Sequence, residues 1–151
     1  MGMDVNGKAP SSKVGEYFRN NVWWWHPLWD YCCLVAPELT GKVQYGHSND
    51  GDGLCGTDAV ALSEKLEAAI ADGRCKQFEI ECTATLEAIP DEACIYCKGT
   101  GTRTDIQVAN GCSACKGSGK VRPSRTGYPF SAENVQEFAA FLRDSGGFEI
   151  C

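Results

Sequence analysis

The feature that most constrains this chain is an eight-residue phrase that occurs twice, as CIYCKGTG at residues 94–101 and as CSACKGSG at residues 112–119. Two cysteines three positions apart fit on one tight turn, and the glycines behind them permit the positive φ angles that such a turn requires. Two turns of this kind supply four thiolates, which complete a closed tetrahedral zinc site. The spacing therefore predicts one structural zinc per chain, bound by Cys94, Cys97, Cys112 and Cys115.

Two other uses of these thiols stay open from the sequence. A redox dithiol needs one C-x-x-C pair whose thiol pKa is lowered, usually at a helix N-terminus. An iron–sulfur cluster can use the same four thiolates. The matched pairs and their glycines favour zinc over both alternatives.

Both phrases match C-x-x-C-x-G-x-G, and the region resembles the cysteine-rich zinc module of DnaJ-type co-chaperones. That family has four such repeats, paired to hold two zincs on an extended β-hairpin, whereas this chain has two. The resemblance implies one zinc on a hairpin and a protein-binding role. It does not imply stimulation of a chaperone ATPase, because His26-Pro27 is followed by Leu28 rather than by the aspartate of a J-domain.

The remainder of the chain resembles small proteins encoded by phages and prophages. The stretches that carry this resemblance are NNVWWWHPLWDYCC, HSNDGDGL and YPFSAENVQEFAAFLRDSGGFEIC. The resemblance implies a mobile-element setting and no defined activity.

The expected location is cytoplasmic, in the host cell if the protein is phage-encoded. No apolar run approaches the roughly 18 residues of a membrane-spanning helix. The polar N-terminal stretch MGMDVNGKAPSS lacks the apolar core of a signal peptide. Reducing thiol pools in the cytoplasm favour metal binding over disulfides for the ten cysteines.

Hydrophobic periodicity predicts an α+β fold with a small sheet and three to four helices, in one domain over residues 1–151 with a zinc-binding insertion at about 93–125. Phe78, Ile80 and Cys82 begin an alternation that predicts a strand over residues 77–88. The other predicted elements are a loose lead-in at 1–10, helices at about 11–25 and 27–36 separated by Pro27, a short strand at 41–45, a helix from Thr57 or Asp58 to Gly73, and a helix that Ser131 caps and Gly146 ends.

Four tryptophans fall within seven residues: Trp23, Trp24, Trp25 and Trp29. Three consecutive helical residues span about 200°, so at least one of the first three should reach the surface. Trp24 is the best candidate for an interface anchor, and Trp25 is a further candidate for ligand or partner binding. The alternative is that the tryptophans form the centre of the core or the wall of a pocket.

The loop HSNDGDG at residues 47–53 is the best second site. His47, Asn49, Asp50 and Asp52 could gather a cation or a phosphate-bearing ligand, or provide a base with its orienting carboxylate. Calcium is disfavoured, because an EF-hand loop that begins at Ser48 would have Ala59 rather than glutamate at its twelfth position. The alternative is a solvated turn rich in Asx and glycine residues.

Six cysteines lie outside the doubled phrase: Cys32, Cys33, Cys55, Cys75, Cys82 and Cys151. They are expected to be small buried side chains. A second metal site that combines Cys32 or Cys33 with His47 and Cys55 is the alternative.

The net charge of −6 is unevenly distributed. Residues 93–127 contain six basic residues and one acidic residue, which gives +5 and leaves −11 on the remainder. Lys98, Lys116 and Lys120 in this basic stretch could contact a partner or offset the charge of the thiolates.

Together these features favour a non-enzymatic, zinc-stabilised binding or adaptor protein that engages a macromolecular partner, most simply a protein, with no membrane association. One alternative is an enzyme or nucleotide-like ligand binder built on residues 47–52 and a tryptophan-lined pocket. A weaker alternative is RNA or single-stranded DNA contact through the basic stretch, with Tyr96 as a stacking group. The negative overall charge disfavours nucleic acid.

Overall fold

A computed structural model describes residues 2–103 and 111–151. These residues form five helices, a three-stranded antiparallel sheet and a separate two-stranded antiparallel sheet, which confirms the predicted α+β class. The helices are α1 (Val22–Val35), α2 (Pro37–Thr40), α3 (Gly56–Ala71), α4 (Arg74–Ala88) and α5 (Ala132–Asp144). The strands are β1 (Gly2–Gly7), β2 (Tyr17–Asn21), β3 (Glu92–Ala93), β4 (Lys120–Val121) and β5 (Phe148–Ile150), and short 3-10 turns cover Lys13–Gly15 and Ser124–Gly127.

The chain divides into two compact units. One, called the body below, comprises the residues up to 83 together with 128–151. The other, called the cysteine unit, comprises residues 84–127 and contains the doubled phrase. The boundary between them falls within α4.

The sheet of the body has the order β2-β1-β5. Val5 on the central strand pairs with Phe18 on one side and with Ile150 on the other. All three side chains are buried, as is Met3 two positions along β1. Because alternate residues of a strand point to the same face, the sheet presents one apolar face to the core.

Aromatic rings fill the core between this sheet and the helices. The Phe138 ring on α5 lies 5.0 Å from that of Phe18 and 5.5 Å from that of Trp25, measured between centroids. On the adjoining α3, the buried Ser63 hydroxyl donates to the Ala139 carbonyl at 2.7 Å. Phe138 therefore lies where the sheet, α1 and α5 converge.

The predictions for the first 21 residues are wrong. The lead-in contains strand β1, and the predicted helix at 11–25 is a 3-10 turn followed by β2 up to Asn21, with helix only from Val22 onward. The apolar residues of this segment recur at helical spacing, but Val14 is exposed and Phe18 faces the sheet's apolar side. The deciding interaction is the pairing of β2 with β1, which local periodicity does not report.

The predicted break at Pro27 is also wrong, because α1 continues through it from Val22 to Val35. Asn21 caps the helix and accepts from the Trp24 backbone N–H at 3.1 Å. Proline lacks the N–H that would bond to the carbonyl four residues earlier, so α1 forgoes that one hydrogen bond to Trp23.

The segment predicted as a strand at 77–88 belongs to helix α4, and the predicted strand at 41–45 is a series of turns. In α4 the more buried positions are Cys75, Phe78, Cys82 and Leu86, at helical spacing. Residues four apart satisfy a period of 2 and a period of 3.6 alike, so Phe78, Cys82 and Leu86 do not distinguish the two. Ile80 does distinguish them, since it is exposed and would be buried in the predicted strand.

The remaining element predictions are close to the structure. Ser131 caps α5, accepting from the Asn134 backbone N–H at 3.3 Å. Helix α3 begins at Gly56, just before the predicted start. Phe148 and Ile150 are buried, whereas Cys151, which was expected to be buried, is exposed.

Phe138→Ala should lower the free energy of unfolding of the body by about 3–5 kcal/mol, because it removes the α5 ring that contacts the sheet and α1. The measurement is denaturant unfolding followed by tryptophan fluorescence. Gln136→Ala, at an exposed position of the same helix, is the control and should change the value by less than about 0.5 kcal/mol. Equal effects of the two variants would contradict the assignment of Phe138 to the core.

Candidate functional site

The structure brings the four cysteines of the doubled phrase together as one buried group, called the four-cysteine cluster below. Their Sγ atoms all lie within 4.8 Å of one another. The Cys94 and Cys112 sulfurs are 3.9 Å apart, and those of Cys97 and Cys115 are 3.7 Å apart. This arrangement can hold a metal ion.

Each phrase folds into a knuckle, and the two knuckles have the same internal hydrogen bonds. In the first knuckle (residues 94–101) the Gly99 N–H donates to the Cys94 carbonyl at 3.2 Å. In the second (residues 112–119) the Gly117 N–H donates to the Cys112 carbonyl at 3.0 Å. The repeated sequence therefore encodes a repeated backbone.

The last glycine of each knuckle directs its N–H at a sulfur. The Gly101 N–H donates to Cys97 Sγ at 3.2 Å, and the Gly119 N–H donates to Cys115 Sγ at 3.3 Å. A hydrogen bond to the charged form of an acid favours that form. These two contacts therefore stabilise the thiolates that a metal ion requires.

The same two glycines let the knuckles approach each other. A Cβ atom on Gly101 would lie 2.3 Å from the Gly117 carbonyl oxygen, and one on Gly119 would lie 2.3 Å from the Gly99 oxygen. Both residues also have positive φ, +78° and +75°. Any side chain here would force the knuckles apart, so glycine is required at the eighth position of each phrase.

The electrostatics of the cluster favour ionisation of Cys97. Burial alone would raise the pKa of this thiol, but the Gly101 N–H, the Cys115 and Cys94 thiols and the Gly99 N–H outweigh burial and lower the pKa to about 6. Burial raises the pKa of Cys112. Within the cluster, the Cys97 thiol therefore ionises more readily than the Cys112 thiol.

The basic residues of the cysteine unit differ in their surroundings. Arg122 pairs with Asp91 at 3.2 Å, and Arg125 pairs with Glu92 at 2.8 Å. Both acids lie just outside the basic stretch counted in the sequence, so these ion pairs reduce its effective charge. The three lysines named as candidate partner contacts are all exposed: Lys98, Lys116 and Lys120.

The two knuckles differ in the residues between their cysteines. Ile95 and Tyr96 occupy the tip of the first knuckle and are 77% and 59% exposed. The second knuckle has Ser113 and Ala114 at the same positions. The Arg103 guanidinium lies 5.8 Å from the centroid of the Tyr96 ring, within the range of a cation–π contact. Sequence reasoning missed Ile95. The signal was available, because Cys94 and Cys97 both direct their sulfurs into the cluster, so the two residues between them point outward.

The tryptophans fall into two classes. Trp25 and Trp29 are buried and stacked on each other at 5.7 Å, and the Trp25 indole N–H donates to the Gly46 carbonyl at 2.8 Å. Trp24 is 37% exposed and lines a shallow cleft at the start of α5. Trp23 is also partly exposed and packs its ring against Tyr128.

Three of the four candidates in the loop at 47–53 form hydrogen bonds with backbone or hydroxyl groups of the protein. Asp52 accepts from the backbone N–H groups of Tyr45, Gly53 and Gln44 at 2.9, 2.8 and 2.6 Å. These bonds, that of Tyr45 foremost, lower the pKa of the Asp52 carboxyl. Asp52 therefore fixes the shape of the loop.

The other two polar residues of the loop have similar structural contacts. The Asn49 side-chain amide donates to the Gly2 carbonyl at 3.0 Å, which ties the loop to β1. Asp50 accepts from the hydroxyl of its neighbour Ser48. His47 remains as the loop residue whose contacts are with other ionisable side chains.

His47 forms a chain of side-chain contacts with two residues of α1, called the histidine cluster below. Its Nδ1 lies 2.7 Å from Nδ1 of His26, and its Nε2 lies 3.0 Å from Oδ1 of Asp30. Burial, followed by the positive charge of His47, lowers the pKa of His26, while Asp30 opposes this shift. Sequence reasoning missed His26 and Asp30, although their spacing of four places them on one helix face.

The six other cysteines do not form a second thiolate site. Cys32 and Cys75 are buried, and Cys33 and Cys82 are half-buried. Cys55 and Cys151 are exposed. Among residues 2–103 and 111–151, the four-cysteine cluster is the one group of three or more potential ligands with donor atoms close enough to hold a metal. The alternative site that combined Cys32 or Cys33 with His47 and Cys55 is therefore absent there.

Comparison with known proteins gives no assignment. The chain matches no protein-family model, no curated protein and no solved structure. Across the described part of the chain, none of the helices has the length and apolar character needed to cross a membrane.

The pKa of His26, measured by NMR titration of its imidazole, should lie below the ordinary value of about 6.5. His47→Ala should raise this pKa by removing a neighbouring positive charge, and Asp30→Asn should lower it further by removing a negative one. Since the folded pKa is lowered, His26 should contribute a loss of stability as the pH falls below about 6.5. Shifts of the opposite sign in the two variants would contradict this arrangement of charges.

Proposed function

We propose that the protein is a non-enzymatic binding protein in which one structural zinc joins the two knuckles and the tip of the first knuckle contacts a protein partner. The carrying observation is the four-cysteine cluster, in which four buried sulfurs converge around a single point. The proposal has two parts, the zinc and the partner surface, and each has its own test.

The geometry of the cluster supports zinc. Four sulfurs at Zn–S distances of about 2.3 Å form a tetrahedron with edges of about 3.8 Å. Two of the Sγ pairs, at 3.9 and 3.7 Å, have this separation, and the other pairs lie within 4.8 Å. The resemblance of both phrases to the DnaJ-type zinc module points the same way. Four thiolates leave no open position for water or substrate, so the ion acts as a structural element.

The tip of the first knuckle is the best-supported partner surface. The two knuckles share a backbone, and the second knuckle adopts it with Ser113 and Ala114 at its tip. The fold therefore does not need Ile95 and Tyr96 to be apolar. Two large apolar side chains that are exposed without a structural reason favour an interface, and tyrosine is a frequent interface anchor.

Several contacts favour a protein over the alternative ligands. Ion pairs occupy Arg122 and Arg125, which weakens the basic surface available to nucleic acid, and the chain as a whole carries −6. The proposed tryptophan-lined pocket has little support, since Trp25 is buried and Asp52 bonds to its own loop. The resemblance to phage-encoded proteins supports a mobile-element setting, in which the partner would be a protein of the host or the phage.

Protein purified without chelator should contain one zinc per chain by elemental analysis. Cys115→Ala should release the zinc and unfold the cysteine unit locally. Three remaining thiolates bind zinc more weakly than four, and zinc binding at such sites typically contributes on the order of 10 kcal/mol to folding. The measurement combines zinc content with amide hydrogen exchange of residues 93–103 and 111–125.

Cys151→Ala is the matched control, since this exposed cysteine lies outside the cluster and its loss should leave one zinc in place. Absence of zinc from the wild-type protein, or iron in its place, would refute the metal assignment.

Converting the first tip into the second, by the double change Ile95→Ser and Tyr96→Ala, should leave zinc content and folding unchanged and abolish partner binding. The measurement is affinity capture from nuclease-treated extract of cells that express the protein, with wild type and variant compared under equal conditions. A protein retained in stoichiometric amount by wild type alone is the expected result.

The control Ser113→Ala changes the second knuckle at the position equivalent to Ile95 and should leave capture intact. If the double variant retained the same proteins as wild type, the partner surface would lie elsewhere. If capture disappeared on nuclease treatment, the partner would be a nucleic acid.

A further inference from the structure

The histidine cluster contains both histidines of the chain, outside the four-cysteine cluster and in the body. The two imidazoles come from different elements, His26 from α1 and His47 from the loop at 47–53. Their Nδ1 atoms face each other at 2.7 Å. Two facing nitrogens at this distance must share a proton or a cation, since two bare lone pairs would repel each other.

Asp30 fixes which nitrogen of His47 is available. His47 Nε2 lies 3.0 Å from the Asp30 carboxylate, which accepts a hydrogen bond and cannot donate one when ionised. In the neutral His47 ring Nε2 therefore carries the proton, and Nδ1 is left as a lone pair that points at His26. Metal-binding histidines are commonly oriented in this way, with the second ring N–H donated to a carboxylate.

The spacing of the nitrogens fits a shared metal ion after a small opening. Metal–nitrogen bonds of about 2.1 Å at right angles place two donor nitrogens about 3.0 Å apart. The observed 2.7 Å separation thus needs to widen by about 0.3 Å, and the proton that His26 Nδ1 shares with His47 moves to Nε2 of the His26 ring, which stays neutral. The His47 side chain is 46% exposed, which leaves the remaining coordination positions open to water.

We propose that His26 and His47 form a second metal site, distinct from the four-cysteine cluster, that binds a late divalent transition ion such as Ni²⁺ through the two Nδ1 atoms. Asp30 is a positioning residue that holds the His47 ring. Two imidazole donors suit nickel or copper better than hard ions such as calcium or magnesium, which prefer oxygen ligands. The four thiolates keep their own ion, because nickel does not match their preference for zinc in a tetrahedral sulfur site.

The test is a Ni²⁺ titration of the full-length, zinc-loaded chain without a histidine tag, followed by NMR of the imidazole nitrogens and protons. With two histidines in the chain, both imidazole signals report this site. Paramagnetic broadening of both signals, with zinc retained, is the expected result. Imidazole signals that Ni²⁺ leaves unchanged, or nickel uptake that requires release of zinc, would overturn the proposal.

Variants separate ligands from positioning residues by calorimetric measurement of nickel affinity. His26→Ala and His47→Ala should each weaken binding at least tenfold, and Asp30→Asn should weaken it about tenfold through loss of ring orientation. Asp50→Asn, in the same loop but bonded to Ser48, should leave the affinity unchanged. Retention of the Trp25 indole signal checks folding. Wild-type affinity in both histidine variants would overturn the site, and wild-type affinity in Asp30→Asn would overturn the role of Asp30.

Discussion

The close approach of the two knuckles is the contact on which the cysteine unit depends. Four sulfurs can meet at one point only if the backbones that carry them nearly touch. Gly101 and Gly119 provide that approach, each against a carbonyl of the opposite knuckle. The backbone hydrogen bonds between knuckles, from the Cys112 N–H to the Gly101 carbonyl and from the Cys94 N–H to the Gly119 carbonyl, have the same reciprocal form. Metal binding and backbone packing therefore both require glycine at the eighth position of each phrase, and both phrases have it.

A repeated framework makes differences between its copies informative. Hydrogen bonds, φ angles and glycine contacts recur from one knuckle to the other, so the backbone leaves the tip residues free to vary. Ile95 and Tyr96 are much larger than Ser113 and Ala114 at the second tip. The fold does not account for that difference, and it is the reason that we propose a partner contact at the first tip.

The sequence was most predictive where function depends on residues close together in the chain. The spacing of the cysteines and glycines predicted the buried cluster, and Ser131 with its following stripe predicted α5. Predictions failed where contacts with residues distant in the chain determine the secondary structure. Residues predicted as a helix form strand β2, because they pair with β1. Residues 77–88 were predicted as a strand but belong to helix α4, and the exposure of Ile80 is what distinguishes the helix from the strand.

The histidine cluster shows the same limit at the level of a site. The sequence placed His47 beside the acids of its own loop, since these are its neighbours along the chain. In the structure those acids hold backbone and hydroxyl groups of the loop, and His47 instead meets a helix 17 residues earlier, at Asp30. The i,i+4 spacing of His26 and Asp30 was visible, but their convergence with His47 depends on how the loop folds back onto α1.

The distribution of the ten cysteines has a practical consequence. Cys55 and Cys151 are exposed, whereas the four sulfurs of the cluster are buried and would be coordinated when metal is bound. Alkylating reagents would then reach the two exposed thiols first and the cluster thiols only after the ion departs. The number of alkylated thiols, read by intact-protein mass, therefore makes the chain a gauge of its own metal occupancy.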